Sequence, residues 1–206
     1  DKQAHKFIIA YFIAKMEKDV DMRVIIEGGI FEFLSRVVVT DIRPDVYHEI
    51  VRQKKAEVNA WVLSKIEPMI EDIEDGEFLK RFEAYLNGNA YAKERLILKA
   101  ASYFATRWEF NIVYQTSAFL NDIDEIKNKV EEELEDYYEL IGARKIALNQ
   151  KIAKIIDLSG RLRFQKRWAQ TPRIPETAVL GHMLVVAILG YFYSLKIKAC
   201  DKRLEN

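Results

Sequence analysis

Arg161-Leu-Arg-Phe-Gln-Lys-Arg-Trp168 leads through Ala-Gln-Thr-Pro-Arg-Ile-Pro-Glu-Thr177 into an uncharged stretch, Ala178 to Leu195, that carries His182. Arg161, Arg163, Lys166, Arg167 and Arg173 make the first part basic, with Phe164 and Trp168 interleaved. Pro172 and Pro175 interrupt any helix, because proline lacks an N–H and pushes the residue before it out of the α region. Beyond them the chain is apolar over a length that suits a helix, with one imidazole as its strongly polar group. A basic, aromatic connection feeding a histidine-bearing helix is the pattern from which the rest is read.

Working outward, the 206 residues are 50% hydrophobic and 12% aromatic, enough for one large domain or two small ones with a real core. Four prolines and eight glycines among long 3.6-residue periods predict an all-α, multi-helix bundle. Lys and Arg balance Asp and Glu at 32 each, so no global field favours nucleic acid. Cys200 is the only cysteine, which excludes an intramolecular disulfide and suits a reducing, cytoplasmic setting. Asp1-Lys-Gln-Ala-His-Lys6 shows no secretory pattern, and a start on Asp predicts a piece of a longer chain. Ala178 to Leu195 lies at the lower edge of a membrane-spanning length. It is read as a buried core helix, with no membrane partner.

The periodicity places helices over 3–18, 23–39, 46–66, 77–86, 90–119, from Asn121 or Asp122 as cap to about Leu140, and over 143–158. Gly28-Gly29 weakens the second by about 1 kcal/mol per glycine relative to alanine and marks close packing. Pro68 starts or kinks a piece, Gly142 punctuates, and Ser159-Gly160 closes the helix ahead of the basic segment. Glu131-Glu-Glu-Leu-Glu-Asp136 reads as a solvated face. Trp61 and Trp108 read as core aromatics. Asp45 and His48 stand at the i, i+3 spacing of half a di-iron motif, but a second acid–histidine set is missing, so they read as surface residues. There is no P-loop, dinucleotide glycine fingerprint, cysteine-rich zinc pattern or nucleophile elbow. The basic cluster could meet RNA or DNA phosphates through Arg161–Arg173, yet one cluster in a neutral chain does not favour it.

The run from Arg161 to His182 resembles the approach to the active site of the HD-domain metal-dependent phosphohydrolases, particularly the branch related to bacterial nucleoside 5′-monophosphatases. The resemblance implies that His182 is the first metal ligand and that Arg167 and Trp168 hold the substrate. Arg binds phosphate bidentately, and Trp stacks on a base or seals the pocket. The His-Asp pair that names the family would follow on the next helix, beyond Asn206. The implied chemistry is hydrolysis of a small phosphorylated substrate, a cation lowering the pKa of bound water to about 7. Imidazole and carboxylate ligands suit Mn, Fe, Co, Ni or Zn. Read without the resemblance, His182 is a hydrogen-bonded core histidine.

An internal echo extends the resemblance. At an offset of 177, His5-Lys-Phe-Ile-Ile-Ala10 falls on His182-Met-Leu-Val-Val-Ala187. After His5, Gly29-Ile-Phe31 resembles the lead to the family's second helix, but Glu32-Phe33 stands in place of His-Asp. Arg36 replaces a glutamate, Asp41 matches a later aspartate, and Ser102 stands for the distant one. The expectation is a degenerate HD-like unit at 1–120 that keeps only His5, connecting helices at 121–160, and an incomplete second HD domain at 161–206. The full molecule would be a phosphohydrolase. The alternative is a non-catalytic all-α scaffold or dimerisation module, and self-association is expected in either case.

Overall fold

A computed structural model of the chain describes residues 1–39, 42, 44–117, 123–171 and 176–204, the side chains at 44, 45, 47, 48, 117 and 198–204 lying outside that description. The fold is all-α, as expected. The described helices are α1 (Lys2–Met16), α2 (Met22–Val38), α3 (Pro44–Ile70), α4 (Glu77–Asn87), α5 (Ala92–Ser117), α6 (Ile123–Glu132), α7 (Ile141–Ala147), α8 (Lys151–Arg161) and α9 (Val179–Leu204). Short 3-10 turns lie at Ile73–Gly76, Glu133–Tyr137 and Leu162–Phe164. The chain forms two compact units, one of residues 1–26 and 91–186, the other of 27–90 and 187–206. They interleave in sequence, α2 and α9 each contributing to both.

The first unit is built on α1. Ala4, Ile9, Ala10, Ile13 and Ala14 are buried, and the helix packs on α5, α7 and α8. Small residues at 10 and 14 let neighbouring backbones approach. Gly142 does the same from α7: a Cβ there would lie 2.7 Å from Ile13 Cα. Its N–H donates to Glu17 Oε1 at 3.0 Å, tying α7 to the end of α1. Gly142 is therefore a packing residue inside a helix rather than a break. The break falls later, at Leu148–Gln150, where Asn149 has φ 52°, a left-handed conformation that asparagine tolerates.

In the second unit, α4 is plainly amphipathic, with Phe78, Phe82 and Tyr85 buried at i, i+4, i+7. Their rings surround Phe31, with centroids 5.0–5.4 Å away, and Phe192 meets Phe78 edge-on at 5.4 Å. Each such ring contributes about 1.5–3 kcal/mol on burial. Arg81, also on α4, forks onto the buried Glu27 carboxylate at 2.8 and 2.9 Å and pairs with Glu74. Tyr191 donates to the same Glu27 at 2.7 Å. Burial works against the Arg81 charge, but the bonds to Glu27 and Glu74 outweigh it and raise its pKa.

Several expectations need correction. The helix at 44–70 runs straight through Pro68, and its non-helical residue is Lys54. Trp61 is exposed rather than core. The stretch expected as one helix to Leu140 splits into α6 and a 3-10 turn, and α8 extends through Ser159-Gly160 instead of ending there. α9 is the largest departure. By length and composition Val179–Ile197 could cross a membrane, at mean hydropathy 1.5, yet only 11% of the stretch is buried. Met183, Val185, Val186, Leu189 and Tyr193 are exposed, so it is not the covered core helix that its composition suggested. The acidic run at 131–136 is solvated as expected, apart from the buried Leu134.

Candidate functional site

The basic segment folds back on the approach to α9. Arg167 N–H donates to Thr177 O at 2.9 Å, Val179 N–H to Gln165 O at 2.8 Å, and Lys166 and Ala178 form an isolated antiparallel bridge. Between these bonds the chain reverses at Trp168, whose φ of 57° is left-handed. That conformation costs an L-residue with a bulky side chain on the order of 1–2 kcal/mol. The flanking bonds hold it there, together with Thr171 N–H to Trp168 O at 2.8 Å. Strain maintained in this way concentrates at binding and active sites.

The reversal forms a cleft of about 260 Å³ lined by Lys166, Arg167, Trp168, Thr171, Glu176 and Thr177 among others. Lys166 Nζ pairs with Glu176 at 2.8 Å across its mouth. The half-buried Arg167 guanidinium sits 5.8 Å from the Trp168 ring centroid and meets no carboxylate among the described residues. A guanidinium beside an exposed indole, with two threonine hydroxyls nearby, offers donors for an anion and a face for an aromatic ring. Arg167 and Trp168, neighbours in sequence, both line this cleft. Lys166, Thr171 and Thr177 line the same cleft and were not singled out. Pro172 and Pro175 lie outside the described residues, and nothing in the sequence shows which side chains the segment gathers.

His182 is the fourth residue of α9, half-buried, its backbone N–H bound to Ala178 O at 3.2 Å. The Asp1 carboxylate lies beside the neighbouring Gly181, 3.1 Å from where a Cβ would stand. His5 is the fourth residue of α1 and fully buried. Its Nε2 donates to Ile156 O at 2.9 Å, leaving Nδ1 buried without a partner among the described residues, and its ring stands edge-on to Trp108 at 5.0 Å. Burial pushes the His5 pKa down, a shift that the bond to Ile156 only partly opposes. Gly160 lets both rings lie against the α8 backbone, since a Cβ would come within 2.8 Å of each. Trp108 Nε1–H is fixed by Asp157 at 2.9 Å, and the Arg163 guanidinium covers the indole at 4.8 Å while donating to Glu109 at 2.6 Å. This cluster ties the start of the basic segment to α1 and α5.

Among the described residues no group of three or more His, Cys, Asp or Glu side chains could hold a metal ion. Glu32 receives a bond from Tyr85 O–H at 3.1 Å. Asp41, the cap at Asn121 or Asp122, Arg173, and the side chains of Asp45, His48 and Cys200 lie outside the described residues. The arrangement is an all-α unit in which a strained basic turn precedes a histidine-bearing helix. Residues 159–206, less than a quarter of the chain, match the HD domain family. That match supports the HD-domain superfamily for this segment, a superfamily typically of metal-dependent phosphohydrolases that usually bind divalent metals. No curated protein and no solved structure matches the chain.

Proposed function

We propose that residues 159–206 open an HD-type phosphohydrolase domain and that the protein acts on phosphate esters such as nucleoside monophosphates. The observation that carries this reading is the Arg167–Trp168 turn, held in a strained backbone inside the segment that matches the HD domain. In this reading Arg167 grips the phosphoryl oxygens through two parallel N–H bonds. Trp168 stacks on the base, and Thr171 and Thr177 donate to the remaining oxygens. Lys166, already paired with Glu176, contributes positive charge at the mouth.

His182 is the one residue of the described chain proposed as a ligand for Mn, Fe, Co, Ni or Zn. One imidazole does not make a site for a divalent cation, and no step is drawn through a metal. The N-terminal part is read as a degenerate HD-like unit. His5 and His182 occupy the same fourth position of α1 and α9, which supports that kinship.

The test is phosphate release from nucleoside 5′-monophosphates by the protein that carries this chain, with each divalent cation supplied in turn. Charge-assisted bonds contribute about 1.5–3 kcal/mol, so Arg167→Ala should lower kcat/KM by roughly 10- to 100-fold. Equal activity in wild type and Arg167→Ala would overturn the assignment.

A further inference from the structure

Within the first unit, Met16 at the end of α1 and Ile152 and Ile155 on α8 form the floor of an open groove of about 640 Å³, with Lys145, Gln150 and Lys151 at its rim. The apolar surface continues outward. Leu148 is 71% and Leu158 67% exposed, and Ile155 is nearly half exposed. The buried face of α8 is spent on Ile156 and Gly160, so this second apolar row has no cover of its own. Lys145, Lys151 and Lys154 are exposed around it and meet no carboxylate among the described residues. Contiguous apolar surface rimmed by like charges marks an interaction site.

The same unit carries the complementary shape and charge. The 3-10 turn Glu133–Tyr137 and the residues after it present Glu132, Glu135, Asp136 and Glu139 to solvent, with Tyr138 47% exposed among them. This ridge stands next to the lysine-bearing helix, since Arg144 Nη1 donates to Tyr138 O at 2.8 Å. A two-fold pair of chains uses one patch twice, residue i meeting j and j meeting i. A patch with a basic apolar groove beside an acidic aromatic ridge is complementary to itself in that way.

We infer that the chain pairs with a second copy of itself through this face, Tyr138 of each copy entering the Met16–Ile152–Ile155 groove of the other while Glu135, Asp136 and Glu139 meet Lys145 and Lys151. This pairing is independent of the phosphohydrolase reading, since it uses neither Arg167 nor His182. Tyrosines that become buried on pairing are frequent anchors of such contacts, and the flanking charges set register and salt sensitivity.

The experiment is sedimentation equilibrium of the chain across concentration and salt. The wild type should show a monomer–dimer equilibrium that weakens as salt rises. Tyr138→Ala should weaken it by at least about tenfold. Lys145→Glu/Lys151→Glu and Glu135→Lys/Glu139→Lys should each weaken self-pairing, and mixing the two double variants should restore a heterodimer. All substituted side chains are exposed, so circular dichroism should be unchanged. A monomer at every concentration, a dimer indifferent to these changes, or reversed-charge variants that fail to pair with each other would overturn the inference.

Discussion

Replacing Gly160 by alanine tests the cluster that joins the basic segment to α1. A Cβ at 160 would sit 2.8 Å from His5 Cε1 and 2.8 Å from two carbons of the Trp108 indole. Normal carbon contacts begin near 3.4 Å, so both rings must give way by about half an ångström or more. Neither is free to do so. His5 is held by Ile156 O, and Trp108 by Asp157 at its indole N–H and by Arg163 over its face. Overpacking costs about 1–3 kcal/mol, and a site whose two neighbouring rings are both held lies in the upper part of that range, about 2–3 kcal/mol. Alanine also returns roughly 1 kcal/mol of helix propensity inside α8. The net loss should be about 1–2 kcal/mol, or roughly 3–6 °C in Tm for a chain of this size. Gly190→Ala is the internal control, because none of the described residues lies within 4 Å of a Cβ there. It should stabilise by about 0.5–1 kcal/mol. Urea unfolding followed by tryptophan fluorescence measures both. If Gly160→Ala is neutral or stabilising like Gly190→Ala, the rings are not clamped as described.

Three further outcomes follow from the packing. Gly142→Ala places a Cβ 2.7 Å from a backbone carbon of Ile13, which cannot rotate away, so it should cost more than Gly160→Ala, about 2–3 kcal/mol by urea unfolding. Glu27→Gln leaves the partly exposed Arg81 with Glu74 alone and weakens the Tyr191 bond; it should destabilise by roughly 2–3 kcal/mol in the same assay, below the cost for a fully buried pair. His5, with its folded pKa depressed by burial, refuses a proton that the unfolded chain accepts near 6.5, so stability should fall as pH drops through about 6.5. His5→Gln should flatten that slope between pH 5 and 7 in denaturant titrations; an unchanged slope would assign it to other groups.

The all-α class and the bounds of α1, α2, α4 and α5 were legible because apolar periodicity and helix length report directly on them. Gly142 and Gly160 were misread because a glycine in sequence looks like punctuation, whereas here each admits a neighbour from α1 or α5 that no local pattern reveals. The real break, at Asn149, carries a signal of similar strength that the glycines overshadowed. α9 was misread because composition shows how apolar a helix is, not which of its faces a neighbour covers. At the candidate site, the Arg167–Trp168 pair was legible by resemblance to a family motif. The left-handed turn at Trp168 and the gathering of Lys166, Thr171 and Thr177 depend on backbone bonds across ten residues, and only the fold displays them.

On the proposed reading, the turn at Arg167–Trp168 holds a phosphate ester. Calorimetric titration of this chain with a nucleoside 5′-monophosphate, in chelator and at low salt, tests it without requiring turnover or metal. The wild type should bind saturably, more weakly as salt rises, and Arg167→Ala should bind at least about tenfold more weakly, the loss expected for one charge-assisted contact. No binding, or binding equal in wild type and Arg167→Ala, would contradict it.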